Sequence, residues 1–235
     1  MIIASNFKTN KTRQATREYY AQVSVYMQEH KITQKAMIFP PATALDTFDG
    51  PIVVGAQNAY NVSNGAFTGE IGLEQLEEFG INMILIGHSE RRHILGESQE
   101  QMAERFAFFK EQGFHIVYCI GEPLEIREAG SSDLMAYLDA QCEDIDLTYD
   151  KLVVAYEPVW AIGTGLTPTE NEVEAIHRAL RQKTTRPLLY GGSVKVANAQ
   201  GILALENVDG ALIGSGALNA DDFCEILEIA QKLEA

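Results

Sequence analysis

Eight short apolar runs recur along the 235 residues, each closing on a polar or glycine-containing turn: "IIAS" (2–5), "AMIF" (36–39), "IVVGA" (52–56), "NMILIG" (82–87), "HIVYCIG" (115–121), "LVVAYE" (152–157), "PLLYGG" (187–192) and "GALIGSG" (210–216). They are apolar nearly throughout rather than alternating, the pattern of parallel strands covered on both faces. The segments between them carry helical spacing. Residues 12–30 place Ala15, Tyr19, Val23 and Tyr26 on one predicted face. Residues 98–113 open on a Ser98 cap, end at Gly113 and align Met102, Phe106 and Phe109. Thr169 followed three residues later by Glu172 is a capping box, and 220–234 opens acidic, as a helix N-terminus favours. The segments near 41–48 and 72–79 read as short helices.

Strand then helix, eight times over, with no long linker, predicts a closed (β/α)₈ barrel forming one domain over residues 1–235. An open doubly wound sheet is the alternative. It lacks support, because no GxGxxG follows the first run and no GxxxxGK[ST] occurs anywhere.

Charge narrows the partners. Eighteen Lys and Arg against 33 Asp and Glu leave a formal charge of −15, which repels nucleic acid. No apolar stretch reaches membrane-spanning length, and "MIIASNFKTN" lacks the plan of a signal peptide, so no membrane partner and a cytoplasmic location are expected. Cys119, Cys142 and Cys224 are odd in number and contain no CxxC pair, which suits buried reduced thiols rather than a disulfide framework or zinc site.

In such a barrel, residues at the carboxyl ends of the strands share one mouth. There the sequence places Asn6 and Lys8, then His88, Ser89 and Glu90, then Glu157, then Gly191, Gly192 and Ser193, and last Gly214, Ser215 and Gly216. The glycine- and serine-rich turns after strands seven and eight precede helix starts and suit an oxyanion. Singly each reads as a tight turn; together they favour a phosphate site. Glu157 ends a buried run, so desolvation is expected to raise its pKa toward that of a general base. His88 at a helix start is expected to stay neutral and polarise a carbonyl. Lys8 is read as the lone cation of the mouth. Glu90 divides evenly between a structural and a site role. A base, a neutral donor, a cation and a phosphate nest fit proton abstraction beside a carbonyl in a small phosphorylated sugar, with neither metal nor organic cofactor. An enediol intermediate must be kept from water, and "PVWAIGTG" (158–165) reads as the lid, hinged at Pro158 and at Gly163 to Gly165.

The motifs "SNFKTN", "QNAY…GAFTGE", "IGHSERR", "YCIGE", "AYEPVWAIGTG", "YGGSV" and "LIGSGAL" occur in this order, and in that series the whole chain resembles the triosephosphate isomerase family. The resemblance implies a glycolytic and gluconeogenic isomerase that interconverts dihydroxyacetone phosphate and D-glyceraldehyde 3-phosphate without a cofactor. It implies Glu157 as base, His88 as electrophile, Lys8 and Asn6 as substrate contacts and Glu90 as a supporting acid. Gly163, Ser193, Gly214 and Ser215 fall where main-chain groups hold the phosphate. Gln57, Asn58 and Thr68 fall in the region of a homodimer interface, with Thr68 near the partner's active site. The chain departs from the family pattern at Phe7 and Thr9 beside Lys8, at Leu166 after the lid and at Ser215. Three other readings compete: a glycosidase using Glu157 with Glu90, a non-catalytic phosphate-binding barrel, and an aldolase with Lys8 as Schiff base.

Overall fold

The computed structural model describes residues 1–162 and 166–234. Eight strands, β1 (Ile2–Asn6), β2 (Lys35–Phe39), β3 (Val53–Val54), β4 (Met83–Ile86), β5 (His115–Ile120), β6 (Leu152–Tyr156), β7 (Leu188–Tyr190) and β8 (Gly210–Ile213), pair in parallel in the order β3-β2-β1-β8-β7-β6-β5-β4. Just beyond β3 the ladder closes. Ala56 donates to Met83 O and its carbonyl accepts from Leu85 N, both at 2.9 Å, making a parallel bridge onto β4. All eight apolar runs are therefore strands of one barrel.

Helices α1 (Arg13–Glu29), α2 (Leu73–Glu77), α3 (Ser89–His93), α4 (Gln99–Glu111), α5 (Leu124–Ala129), α6 (Ser131–Ala140), α7 (Glu170–Arg181), α8 (Val196–Leu203) and α9 (Ala220–Leu233) fill the connections. The expected capping box of Thr169 with Glu172 forms, as does one of Ser98 with Gln101. The weak segments are short: one turn of 3₁₀ helix at Ala42–Ala44 and the five residues of α2. The buried stripe of α1 is Thr16, Tyr19, Tyr20, Val23 and Met27, not the row through Ala15 and Tyr26. Tyr26 is displaced because its hydroxyl donates to Glu228 on α9, at 2.7 Å, and so stays at the helix–helix boundary.

Strand period sorts the core into two layers. Ala4, Met37, Phe39, Met83, Leu85, Val117, Cys119, Val153, Ala155, Leu189 and Leu212 fill the barrel interior, while the alternate residues pack under the helices. Two residues beyond the last inward apolar side chain of β1, β4, β5, β6, β7 and β8 come Asn6, Gly87, Gly121, Glu157, Gly191 and Gly214. Four glycines leave space above the core at the carboxyl end, and the amide and carboxylate stand in it.

Candidate active site

A cavity of about 200 Å³ opens at this end, lined by Asn6, Lys8, His88, Glu157, Ile162 and the turns Gly191–Lys195 and Gly214–Gly216. The structure thus brings together the base, the imidazole, the cation, the amide and both glycine turns expected from sequence. Gly163, with the rest of the expected second hinge, lies outside the described residues.

Glu157 is 3% exposed. Its main-chain N–H donates to Ile120 O on β5 at 2.7 Å, and Gly191 N on the β7 side donates to Tyr156 O at 2.7 Å. Glycine is required on both flanks. A Cβ on Gly121 would lie 1.7 Å from the Glu157 carbonyl oxygen, and one on Gly191 would lie 2.7 Å from Glu157 Cγ. The carboxylate is held at both oxygens: Oε1 lies 3.1 Å from His88 Nε2, and Oε2 accepts the Ser89 N–H at 2.9 Å.

This arrangement corrects two expectations. Burial opposes ionisation of Glu157, but the charge and hydrogen bond of His88, the Ser89 N–H and Lys8 together outweigh it, and the carboxyl is held below the usual glutamate range. Burial likewise disfavours the His88 imidazolium, yet attraction to Glu157 and Glu90 raises the ring above its ordinary pKa. Desolvation and the helix N-terminus are visible in the sequence; the meeting of the two groups is not. The donor role survives the correction. Glu90 N–H donates to Nδ1 at 3.3 Å, so the neutral ring places its Nε2–H toward Glu157. Trp160, three residues after Glu157, gives its indole N–H to Glu122.

Lys8 adopts φ 52°, a left-handed conformation that costs about 1 kcal/mol in a residue with a Cβ. Two side chains stabilise it: Asn6 Oδ1 accepts the Lys8 N–H at 2.9 Å, and Gln57 Nε2 donates to Lys8 O at 2.7 Å and to Phe39 O at 2.9 Å. Asn6 therefore keeps its amide NH₂ for a ligand. Gln57 thereby braces the Lys8 turn within its own chain. Lys8 Nζ forms an ion pair with Glu90 at 2.7 Å. Lys8 is not the lone cation, since Lys195 lines the same cavity. Nothing but its place two residues after Ser193 marked it in the sequence.

Among the departures, Phe7 is fully buried and packs edge-on against Tyr19 at 4.8 Å, whose hydroxyl donates to Ala217 O beside the β8 turn. A second cavity, about 580 Å³, shares Asn6, Lys8, Asn10 and His88 with the first and extends past Gln57 and Asn58. Asn58 Oδ1 is buried there without a hydrogen-bond partner. Thr68 is exposed on a loop with Phe67, itself 42% exposed. Among the described residues no group of acidic, histidine and cysteine side chains is arranged to hold a metal, and no helix is long and apolar enough to cross a membrane.

Comparison with known proteins agrees with this geometry. The family model for triosephosphate isomerase matches residues 1–230. The triosephosphate isomerase of Sulfurimonas denitrificans is 55% identical over 234 residues, which cover 100% of this chain and 98% of the relative. Those of a Sulfurovum species and of Wolinella succinogenes are 54% and 51% identical, each over 97% of this chain and 99% of the relative. With a full-length match on a parallel eight-stranded barrel whose carboxyl end gathers Asn6, Lys8, His88 and Glu157, the chain belongs to the triosephosphate isomerase family.

Proposed function

We propose that the protein interconverts dihydroxyacetone phosphate and D-glyceraldehyde 3-phosphate, with Glu157 moving the carbon-bound proton and His88 hydrogen-bonding the substrate oxygens. The observation that carries this reading is the 3.1 Å contact between Glu157 and His88, in the lining of a cavity that also includes the Gly191–Ser193 and Gly214–Gly216 turns. At 3.1 Å the two groups leave no room for a carbonyl between them, so substrate must part them. Parting removes the largest stabilisation of the Glu157 carboxylate. Burial, which already opposes its charge more than any single neighbour favours it, then governs and raises its basicity toward that of a useful base. His88, released from the carboxylate, presents Nε2–H to the developing enediolate. A neutral donor suits this task, since the ring need not give up a full proton to stabilise the oxygen.

Lys8 and the Asn6 amide face the same space and offset the negative charge of phosphate and intermediate. The Ser193, Gly214 and Ser215 turns receive the phosphate, and Lys195 adds a cation on that side. Glu90 holds Lys8, and its main-chain N–H, donated to Nδ1, fixes the His88 tautomer. A Schiff-base aldolase would need this amine set apart in a desolvated pocket, whereas Lys8 Nζ lies 2.7 Å from the Glu90 carboxylate.

The protein is proposed to act as a homodimer. The 580 Å³ cavity, the unpartnered Asn58 Oδ1 and the exposed Phe67–Thr68 loop fit a second copy seated beside Asn6 and His88. The three cysteines are free and two are buried, which suits the reducing cytoplasm. The decisive experiment is a coupled assay of triose phosphate interconversion comparing wild type with Glu157→Gln. Loss of several orders of magnitude in kcat supports the assignment; comparable turnover in the two proteins removes it.

A further inference from the structure

The chain just after Glu157 is anchored to a charged cluster outside the cavity. Pro158 is followed by a 3₁₀ turn, Val159–Ala161. Val159 N donates to Glu122 O at 3.1 Å, and Trp160 Nε1 donates to Glu122 Oε1 at 2.9 Å. The same Oε1 accepts from the hydroxyl of Tyr156, the residue before the base, at 3.0 Å. Glu122 is fully buried, its Oε2 has no hydrogen-bond partner, and burial pushes its carboxyl above the usual range against the hydrogen bonds from Trp160 and Tyr156 and, least of these, the charge of Arg127.

Arg127, on α5, reaches two elements from one guanidinium. Its Cζ lies 5.6 Å from the Trp160 ring centroid, within cation–π range. Its terminal nitrogen donates to Glu172 Oε1 at 2.5 Å. The other oxygen of Glu172 accepts from Thr169 N and Oγ1, both at 2.8 Å, which makes it part of the α7 cap. Arg127 therefore ties the turn after the base to the helix that follows, and supplies positive charge beside the buried Glu122.

We propose that Arg127 is a positioning residue for the isomerisation: by stacking on Trp160 and bridging to Glu172 it fixes the turn that carries the chain away from Glu157, and so the aim of the base. The inference rests on the function proposed above. Arg127 does not line the substrate cavity, so it acts on the alignment of the reacting carboxylate and not on phosphate binding. Such a role lowers kcat and leaves KM in place.

The test compares wild type with Arg127→Met, which keeps the length and loses charge and plane, and with Arg127→Lys, which keeps the charge alone. Trp160 is the single tryptophan of the chain, so its emission reports the contact directly. Arg127→Met is expected to shift Trp160 emission and to lower kcat about tenfold with KM for either triose phosphate within about twofold; Arg127→Lys recovers part of the loss. A folded Arg127→Met protein with wild-type kcat overturns the inference, as does a loss of activity that merely tracks the unfolded fraction in thermal melts. Should Arg127→Met fail to fold, Arg127→Lys carries the test: unchanged emission and kcat overturn the proposal, and a shift in both supports it. A wild type that does not isomerise triose phosphates refutes the function itself. In that case unaltered Trp160 emission in Arg127→Met separately overturns the positioning contact.

Discussion

Replacing Gly191 with alanine adds one methyl group against the flank of the base. That Cβ would stand 2.7 Å from Glu157 Cγ, where ordinary contact begins at 3.4 Å, a shortfall of about 0.7 Å. It would also meet Tyr156 O at 3.2 Å and Glu157 Cα at 3.6 Å, so it has no free side toward which to retreat. Gly191 is not among the residues with positive φ, and alanine there brings no backbone strain of its own. The Glu157 side chain is what gives way, although its two oxygens are already held by His88 and Ser89. A misplacement of about 1 Å at a reacting group costs on the order of a hundredfold in rate. A shift of several tenths of an ångström should then lower kcat roughly ten- to thirtyfold, or about 1.4 to 2 kcal/mol of transition-state stabilisation. KM should change less than about threefold, because Lys8, Asn6 and the Gly214–Ser215 turn are untouched. The assay is coupled turnover in both directions, alongside thermal melting to show that the variant is folded. A folded Gly191→Ala protein within twofold of wild-type kcat would refute the claim that this glycine makes room for the base. A rise in KM at constant kcat would refute it differently, by showing that the methyl blocks substrate. Gly121→Ala is the harsher companion: its Cβ meets main-chain oxygen at 1.7 Å, and we expect a loss of about 3 kcal/mol or more in folding stability.

Lys8→Ala removes the cation paired with Glu90; inorganic phosphate should then inhibit at least tenfold more weakly, measured as an inhibition constant, and an unchanged constant counts against the site. His177 is fully buried, its Nδ1 lies 3.0 Å from Asn207 O, and burial lowers its pKa to about 4. Its folded pKa lies below the unfolded value of about 6.5, so the neutral ring stabilises the fold fully above pH 6.5. That contribution, about 3 kcal/mol, is lost as pH falls from 6.5 toward 4. His177→Asn should flatten the pH dependence of urea unfolding in that window by about one proton, and equal slopes in the two proteins would contradict the reading. Dilution into the nanomolar range should lower specific activity as copies separate, followed by sedimentation; a fully active monomer removes the proposed dimer.

The barrel was legible because its signal is local. A run such as "LVVAYE" is buried on both faces, and burial on both faces is what continuous apolar sequence encodes, whatever its partners. Ser98 and Thr169 marked helix entries by short-range hydrogen bonds, and those caps form; the acidic start of α9 marked a third entry by charge, and that helix begins there. The stripe of α1 was misjudged by a fraction of a turn, because Tyr26 answers to Glu228, 202 residues away. The site residues could be named from their places at strand ends, but what they do to one another could not. Neither Lys195 in the shared cavity nor the bond from Gln57 to the Lys8 carbonyl is visible in the chain order.

From its amino acids alone this protein determines eight strands and the strand-end positions where Asn6, Glu157 and the glycine-rich turns stand. Only the tertiary structure decided the protonation behaviour of the pair at the centre. Desolvation follows from local apolar context and was foreseen. The opposing attraction arises at about 3 Å between Glu157 and groups 68 and 69 positions away in the chain, and at that range a hydrogen-bonded partner outweighs burial.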